Sequence, residues 1–149
     1  VGDPGLNDYV RKKAAYYKKK YNTSDPFKLA DLLGIEVMIG DIGSRLGCYM
    51  YMKRSKCIWI NESLEGNERL FVMAHEVGHA LLHPKENCYF LRNHTLLNTR
   101  TEIEANKFAV EFLIPDELLT EYFRYQEYSI EQTARFLGYQ RELIELRLK

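Results

Sequence analysis

Arg69-Leu70-Phe71-Val72-Met73-Ala74-His75-Glu76-Val77-Gly78-His79-Ala80-Leu81-Leu82-His83-Pro84 is the stretch on which the reading of this chain turns. Apolar residues surround the two histidines on nearly every side of the helical wheel, so this predicts a buried helix over roughly 67–82. Asn67 reads as its cap and His83-Pro84 as its end. Spacing by four sets His75 and His79 on one face, one turn apart, where both rings can grip one ion. Two imidazoles and a carboxylate buried in such a helix are costly without partners, and a metal supplies them. The plain alternative is a pair of satisfied core histidines beside an incidental glutamate. Glu76 sits off the ligand axis but near its open side, where a general base for a metal-activated water belongs. His83 lies about 12 Å up the axis from His75, too far to join both on one ion. The pattern with a third histidine ten residues after the first fails, because Lys85 stands there.

A third ligand is therefore expected from another element. The second central helix, predicted over Thr101–Ile114 and stopped by Pro115, offers Glu102 and Glu104. They differ by about 200° on the wheel, so only one faces the ion, and periodicity does not choose between them. Glu111 reads as a rim or solvated charge, and His94 as a weaker ligand candidate in the irregular stretch 85–100.

Upstream, Ile35–Ile39, Leu46–Met52 and Lys56–Ile60 alternate or are rich in β-branched and aromatic residues. With Lys53-Arg54-Ser55 as a hairpin turn they predict a small antiparallel three-stranded sheet. Two helices precede it, over Leu6–Tyr21 and, bracketed by Ser24-Asp25-Pro26 and Gly34, the stretch between. Residues 116–149 read as a helical C-terminal subregion. The fold class expected is α+β: the small sheet packed on two central helices, in one domain spanning 1–149. Residues 1–5 are left aside as a processed or foreign end.

With 149 residues, 46% hydrophobic and 28% charged, the chain is long enough for one real core. Its 21 basic and 21 acidic side chains cancel, which removes any global electrostatic case for nucleic acid or membrane. No secretory signal or membrane span is legible, and Cys48, Cys57 and Cys88 form no C-x-x-C pair, so buried free thiols in a reducing cytoplasm are expected, with redox or metal roles as the alternative. Arg11, Lys12, Lys13, Lys18, Lys19 and Lys20 read as the solvated face of an amphipathic helix.

The stretch His75–Pro84, followed by Glu102-Ile103-Glu104-Ala105-Asn106-Lys107-Phe108-Ala109 and Phe112-Leu113-Ile114-Pro115, resembles the ImmA/IrrE metallopeptidase family. The upstream Ile58-Trp59-Ile60-Asn61 and Arg69-Leu70-Phe71 fit it too, and the similarity runs from Asp25 onward. The resemblance implies gluzincin-like architecture, a bound Zn2+, and metal ligands His75, His79 and Glu104, the glutamate directly before Ala105-Asn106, with Glu102 as fallback. It further implies a protein substrate: a helix-turn-helix repressor of a mobile element or stress regulon. One departure stands out. The Asp expected four residues after the third ligand is Phe108 here, so a partner for a histidine ligand must come from elsewhere.

These readings combine into peptide-bond hydrolysis, with Glu76 as the catalytic base and Leu46–Met52 as an edge strand that aligns substrate. Tyr49, Tyr51 and His94 are candidate oxyanion donors. The rival class is a repressor-binding module with a structural zinc, against which Glu76 speaks, since a structural site needs no base. DNA binding is a second rival, because Ser129–Tyr139 superficially reads as a helix-turn-helix. From Asp116 to Lys149, however, there are seven acidic and five basic residues, the wrong footprint for DNA.

Overall fold

Asp25 opens the first well-defined signal of the fold: its carboxylate accepts from the Phe27 N–H at 2.9 Å, with Pro26 at the first helical position. In a computed structural model describing residues 4–91 and 99–149, this starts helix α2 (Pro26–Leu32), which follows α1 (Pro4–Tyr21). Strands β1 (Glu36–Gly40), β2 (Arg45–Met52) and β3 (Ser55–Asn61) come next, then α3 (Gly66–Leu82). Strand β4 (Cys88–Leu91) leads through residues outside the described set, His94 among them, to α4 (Arg100–Leu113). The C-terminal part is α5 (Asp116–Thr120), a π-helical turn (Glu121–Tyr125), α6 (Ile130–Leu137) and α7 (Arg141–Leu148). No helix among the described residues is long and apolar enough to cross a membrane.

The α+β architecture expected from sequence is the one adopted, with a larger sheet. Its strand order is β1-β3-β2-β4. β2 and β3 form the expected antiparallel hairpin, turning on Lys53 and Arg54, both at positive φ (49° and 64°), which matches the twist of two-residue hairpins. β1 runs parallel to β3, and β4 runs antiparallel to β2 from Arg45 to Tyr49. The outer edge of β2 is therefore covered over that span, which corrects its expected role as a free edge. β4 carries only four residues, too few for alternation to reveal it in a stretch that reads as irregular.

Leu46, Tyr49, Ile58 and Ile60 of the sheet share one core with Val72, Met73 and Val77 of α3 and Phe108 and Phe112 of α4. Two glycines set how closely these layers approach. A Cβ on Gly78 would stand 3.2 Å from the Ala105 carbonyl oxygen and 3.2 Å from Phe108 Cβ, so α3 and α4 meet there backbone to backbone. A Cβ on Gly47 would come within 2.9 Å of Val72 Cγ1 and 3.0 Å of a Glu76 carboxylate oxygen, so β2 lies directly on the helix at Glu76. Asn67 does not cap α3, whose flanking residue is Glu65; its amide instead donates to the Leu137 carbonyl at 2.6 Å, tying the helix start to the end of α6.

The second helix of the helix-turn-helix-like pair gives its inner face to the core. Leu143, Ile144 and Arg147 of α7 are buried. Glu111, expected at the rim, is buried as well, with Lys107 Nζ at 2.7 Å and Arg147 Nη1 and Arg11 Nε both at 3.4 Å. The misreading has a simple cause: the wheel places Glu111 on α4 but does not show that α1 and α7 both cover that face.

Candidate metal centre

His75 and His79 are buried, and their Nε2 atoms stand 3.1 Å apart. Glu102, from the first turn of α4, places one carboxylate oxygen 3.0 Å from His75 Nε2 and the other 3.1 Å from His79 Nε2. An ion with tetrahedral bonds of about 2.1 Å sets its ligand atoms about 3.4 Å apart, so this triangle is close to ligand spacing. The His75 ring is oriented from behind: Nδ1 lies 2.8 Å from Asn106 Oδ1, and an Nδ1–H donating there leaves the Nε2 lone pair facing the cluster. Lone pairs and a carboxylate converging in a buried space repel one another unless a metal ion or ring protons lie among them. The residues fit a divalent ion.

Glu104 does not join this group. Its carboxylate lies 3.4 Å from His83 Nε2 and 3.2 Å from Arg100 Nε, nearer the end of α3. The structure thus brings Glu102, and not Glu104, to the histidine pair. The physical reason is the rotation of α4, fixed by Phe108, Phe112 and the Gly78 contact, which the wheel leaves open. Counted from Glu102, the residue four positions on is Asn106, so the missing histidine partner sits in the expected place after all.

Glu76 is fully buried beside the pair, and its carboxylate atom lies within 4.8 Å of ligand atoms of both histidines. Oε1 accepts from the Cys88 thiol at 3.2 Å, while Oε2 has no hydrogen-bond partner. Burial pushes its carboxyl up to about 8, the opposite of what a cation in the cluster would do. Glu102 is pulled the other way. Burial works against its charge, but when no cation lies between them, Nε2–H groups of His75 and His79 donate to it, outweigh burial and hold the carboxyl well below the usual range, and an ion would take the place of those protons. Phe90 packs edge-on against the His75 ring at 4.6 Å and Phe71 lies 6.1 Å away, forming an apolar wall.

Of the expected oxyanion donors, the buried Tyr49 donates its hydroxyl to the Pro84 carbonyl, and burial pushes its phenol up to about 12. Tyr51 is half-buried, and its backbone N–H donates to Asn87 Oδ1. His94 lies outside the described residues. Sequence reasoning missed Asn106, whose signal was one turn of spacing from Glu102, and Cys88, for which no sequence signal existed.

Two central helices that direct two histidines and a distant carboxylate at one point, with a buried glutamate alongside, define a domain of the metallopeptidase class. The IrrE N-terminal-like domain of peptidase family M78 matches residues 30–149. Uncharacterized immunity region protein 2 of Bacillus phage phi105 is 41% identical over 143 residues, covering 93% of this chain and 90% of its own length. Metallopeptidase ImmA of Bacillus subtilis (strain 168) is 30% identical over 133 residues, covering 87% of this chain and 78% of its own. The chain belongs to the ImmA/IrrE metallopeptidase family.

Proposed function

We propose that this chain is a zinc-dependent endopeptidase in which His75, His79 and Glu102 hold the ion and Glu76 is the catalytic base. The observation that carries this reading is the convergence of the two Nε2 atoms and the Glu102 carboxylate at 3.0–3.1 Å, with a buried and half-unpartnered Glu76 beside them. Imidazole nitrogen with carboxylate oxygen is a donor set suited to zinc, and three protein ligands leave a position for catalysis. When bound, the ion supplies Lewis acidity at the scissile carbonyl and lowers the pKa of water to about 7. Glu76 Oε2, free of any internal partner, takes the proton from the attacking water and returns it to the leaving amide nitrogen. Phe71 and Phe90 keep bulk water from the His75 side of the cluster.

The substrate proposed is a helix-turn-helix repressor of a mobile element, cut in the cytoplasm. The phage relative's name places that protein in an immunity region, which supports a mobile-element setting for the substrate. The near-neutral charge and the burial of α7 favour a protein substrate over DNA.

The test is metal content and cleavage of a purified helix-turn-helix repressor. Glu76→Gln should bind zinc like the natural chain yet lose about a hundredfold or more in cleavage rate. Glu102→Ala should lose both metal and activity, while Glu104→Ala keeps one zinc per chain. Full activity in Glu76→Gln would refute the base, and metal loss confined to Glu104→Ala would restore the ligand that the resemblance implied.

A further inference from the structure

We propose that Cys88 is a fourth metal ligand in a latent form of the enzyme, and that strand β4 is the latch that delivers it. The inference rests on the metallopeptidase reading above and adds a regulated state to it.

Three independent placements put the sulfur there. Its ligand atom and those of His79 and Glu102 all lie within 4.8 Å of one another, although Cys88 sits on a different element from either. A thiolate on the same ion would stand about 3.6 Å from nitrogen or oxygen ligands, so a shift of about 1 Å closes the set. The same sulfur already donates to Glu76 Oε1 at 3.2 Å, and the other oxygen of that fully buried carboxylate is without a partner. Finally, the segment that brings Cys88 back over α3 is short and anchored. Tyr49 Oη donates to the Pro84 carbonyl, the Tyr51 N–H donates to Asn87 Oδ1 at 2.8 Å, and Cys88 itself pairs with Tyr49 across β2. A half-buried cysteine held by such anchors is directed, not incidental.

The chemistry balances without an oxidant. The S–H bond breaks as the sulfur takes the metal, and the proton moves to Glu76 Oε1, which already accepts it. The water in the fourth position leaves, and no electron changes hands. One displacement therefore removes the nucleophile and neutralises the base. β4 also covers the β2 edge from Arg45 to Tyr49, where an extended substrate would pair. Opening the latch frees the ion and that edge together.

Cobalt(II) in place of zinc in the full chain reads the sulfur directly. Each protein is first shown to bind one cobalt, and its near-ultraviolet spectrum is then recorded. The natural chain should show a thiolate-to-cobalt charge-transfer band that Cys88→Ser and Cys88→Ala lack. Iodoacetamide mapping gives a readout that needs no variant: the loaded chain should be alkylated at Cys88 about tenfold more slowly than the metal-free chain, because a bound sulfur is a poor nucleophile. Repressor cleavage by zinc-loaded Cys88→Ala should exceed that of the natural chain. One cobalt per chain with no such band, and metal-independent alkylation, would overturn the latch and leave the peptidase reading intact. Failure to bind cobalt at all would overturn both.

Discussion

Asn106 acts on the site without touching its open face. It stands one turn beyond Glu102 on α4 and meets His75 at Nδ1, 2.8 Å away, on the far side of the ring from the cluster. A histidine ligand free to rotate or to switch tautomer presents its lone pair only part of the time, so the amide oxygen contributes to affinity by orientation. Asn106→Ala should weaken zinc binding about 10- to 100-fold with little change in fold, whereas Asn106→Asp should retain it. Competition against a chromophoric chelator measures this, and unchanged affinity in Asn106→Ala would remove the residue from the site. The pair His75 and His79 was readable because four residues make one helical turn, and Glu76 followed from its place beside them. Glu102 was not separable from Glu104, since the choice depends on how α4 is rotated about its own axis. That rotation is set by Gly78 and by distant partners such as Phe112, none of which leaves a mark on the spacing of the carboxylates. Cys88 reaches Glu76 from a strand twelve residues later, a contact that only tertiary structure creates.

At the level of elements, α4 serves two ends. Its first turns carry Glu102 and Asn106, and its last turns anchor α7 through buried charge. Lys107, with no exposed surface, donates to the Leu146 and Arg147 carbonyls at 3.0 and 3.3 Å, satisfying the end of α7. Arg147 in turn donates to the Ile114 carbonyl at 2.8 Å and to Asp116 Oδ1 at 2.6 Å. The Arg147 hydrogen bond holds the Asp116 carboxyl below its usual range. A depressed carboxyl contributes stability above its unfolded-state pKa of 3.8 and loses it as pH falls through the lower folded value. Asp116→Asn should therefore destabilise the chain at neutral pH, and the difference should vanish once both states are protonated. The Asp116 side chain is 86% exposed, so the effect should stay below about 1 kcal/mol. Urea midpoints at neutral and acidic pH measure it, and a difference that grows on acidification would contradict the assignment. Among the elements, α2 was legible because the Asp25 cap and the Gly34 breaker bracket it, and α3 because an almost wholly apolar helical stretch ends at His83-Pro84. β4 was not, because a four-residue strand gains its identity from the neighbour it pairs with, as does the parallel direction of β1.

The whole molecule is arranged so that no single element completes the site. α3 brings two histidines and Glu76, α4 brings the carboxylate, and β2 and β4 close over them through Gly47 and Cys88. In the unfolded chain His79 and Glu102 are 23 positions apart, so an ion that binds all three ligands binds the folded state almost alone. Metal binding is then linked to global stability, and ion at a thousandfold excess over its dissociation constant adds about 4 kcal/mol. For a domain of this length that corresponds to a melting shift on the order of 10 °C. Chelating the zinc-loaded chain should lower its Tm by about that much. Glu76→Gln should show the same shift, because the proposed base is not one of the proposed ligands. Glu102→Ala should show almost none, and its Tm should sit near that of the stripped natural chain. Scanning calorimetry with and without chelator separates these cases. A Tm of the natural chain indifferent to chelator would mean that the three groups converge for some purpose other than holding an ion. A full shift surviving in Glu102→Ala would mean that the two helices are joined by packing alone, with the carboxylate a bystander to the histidines it faces.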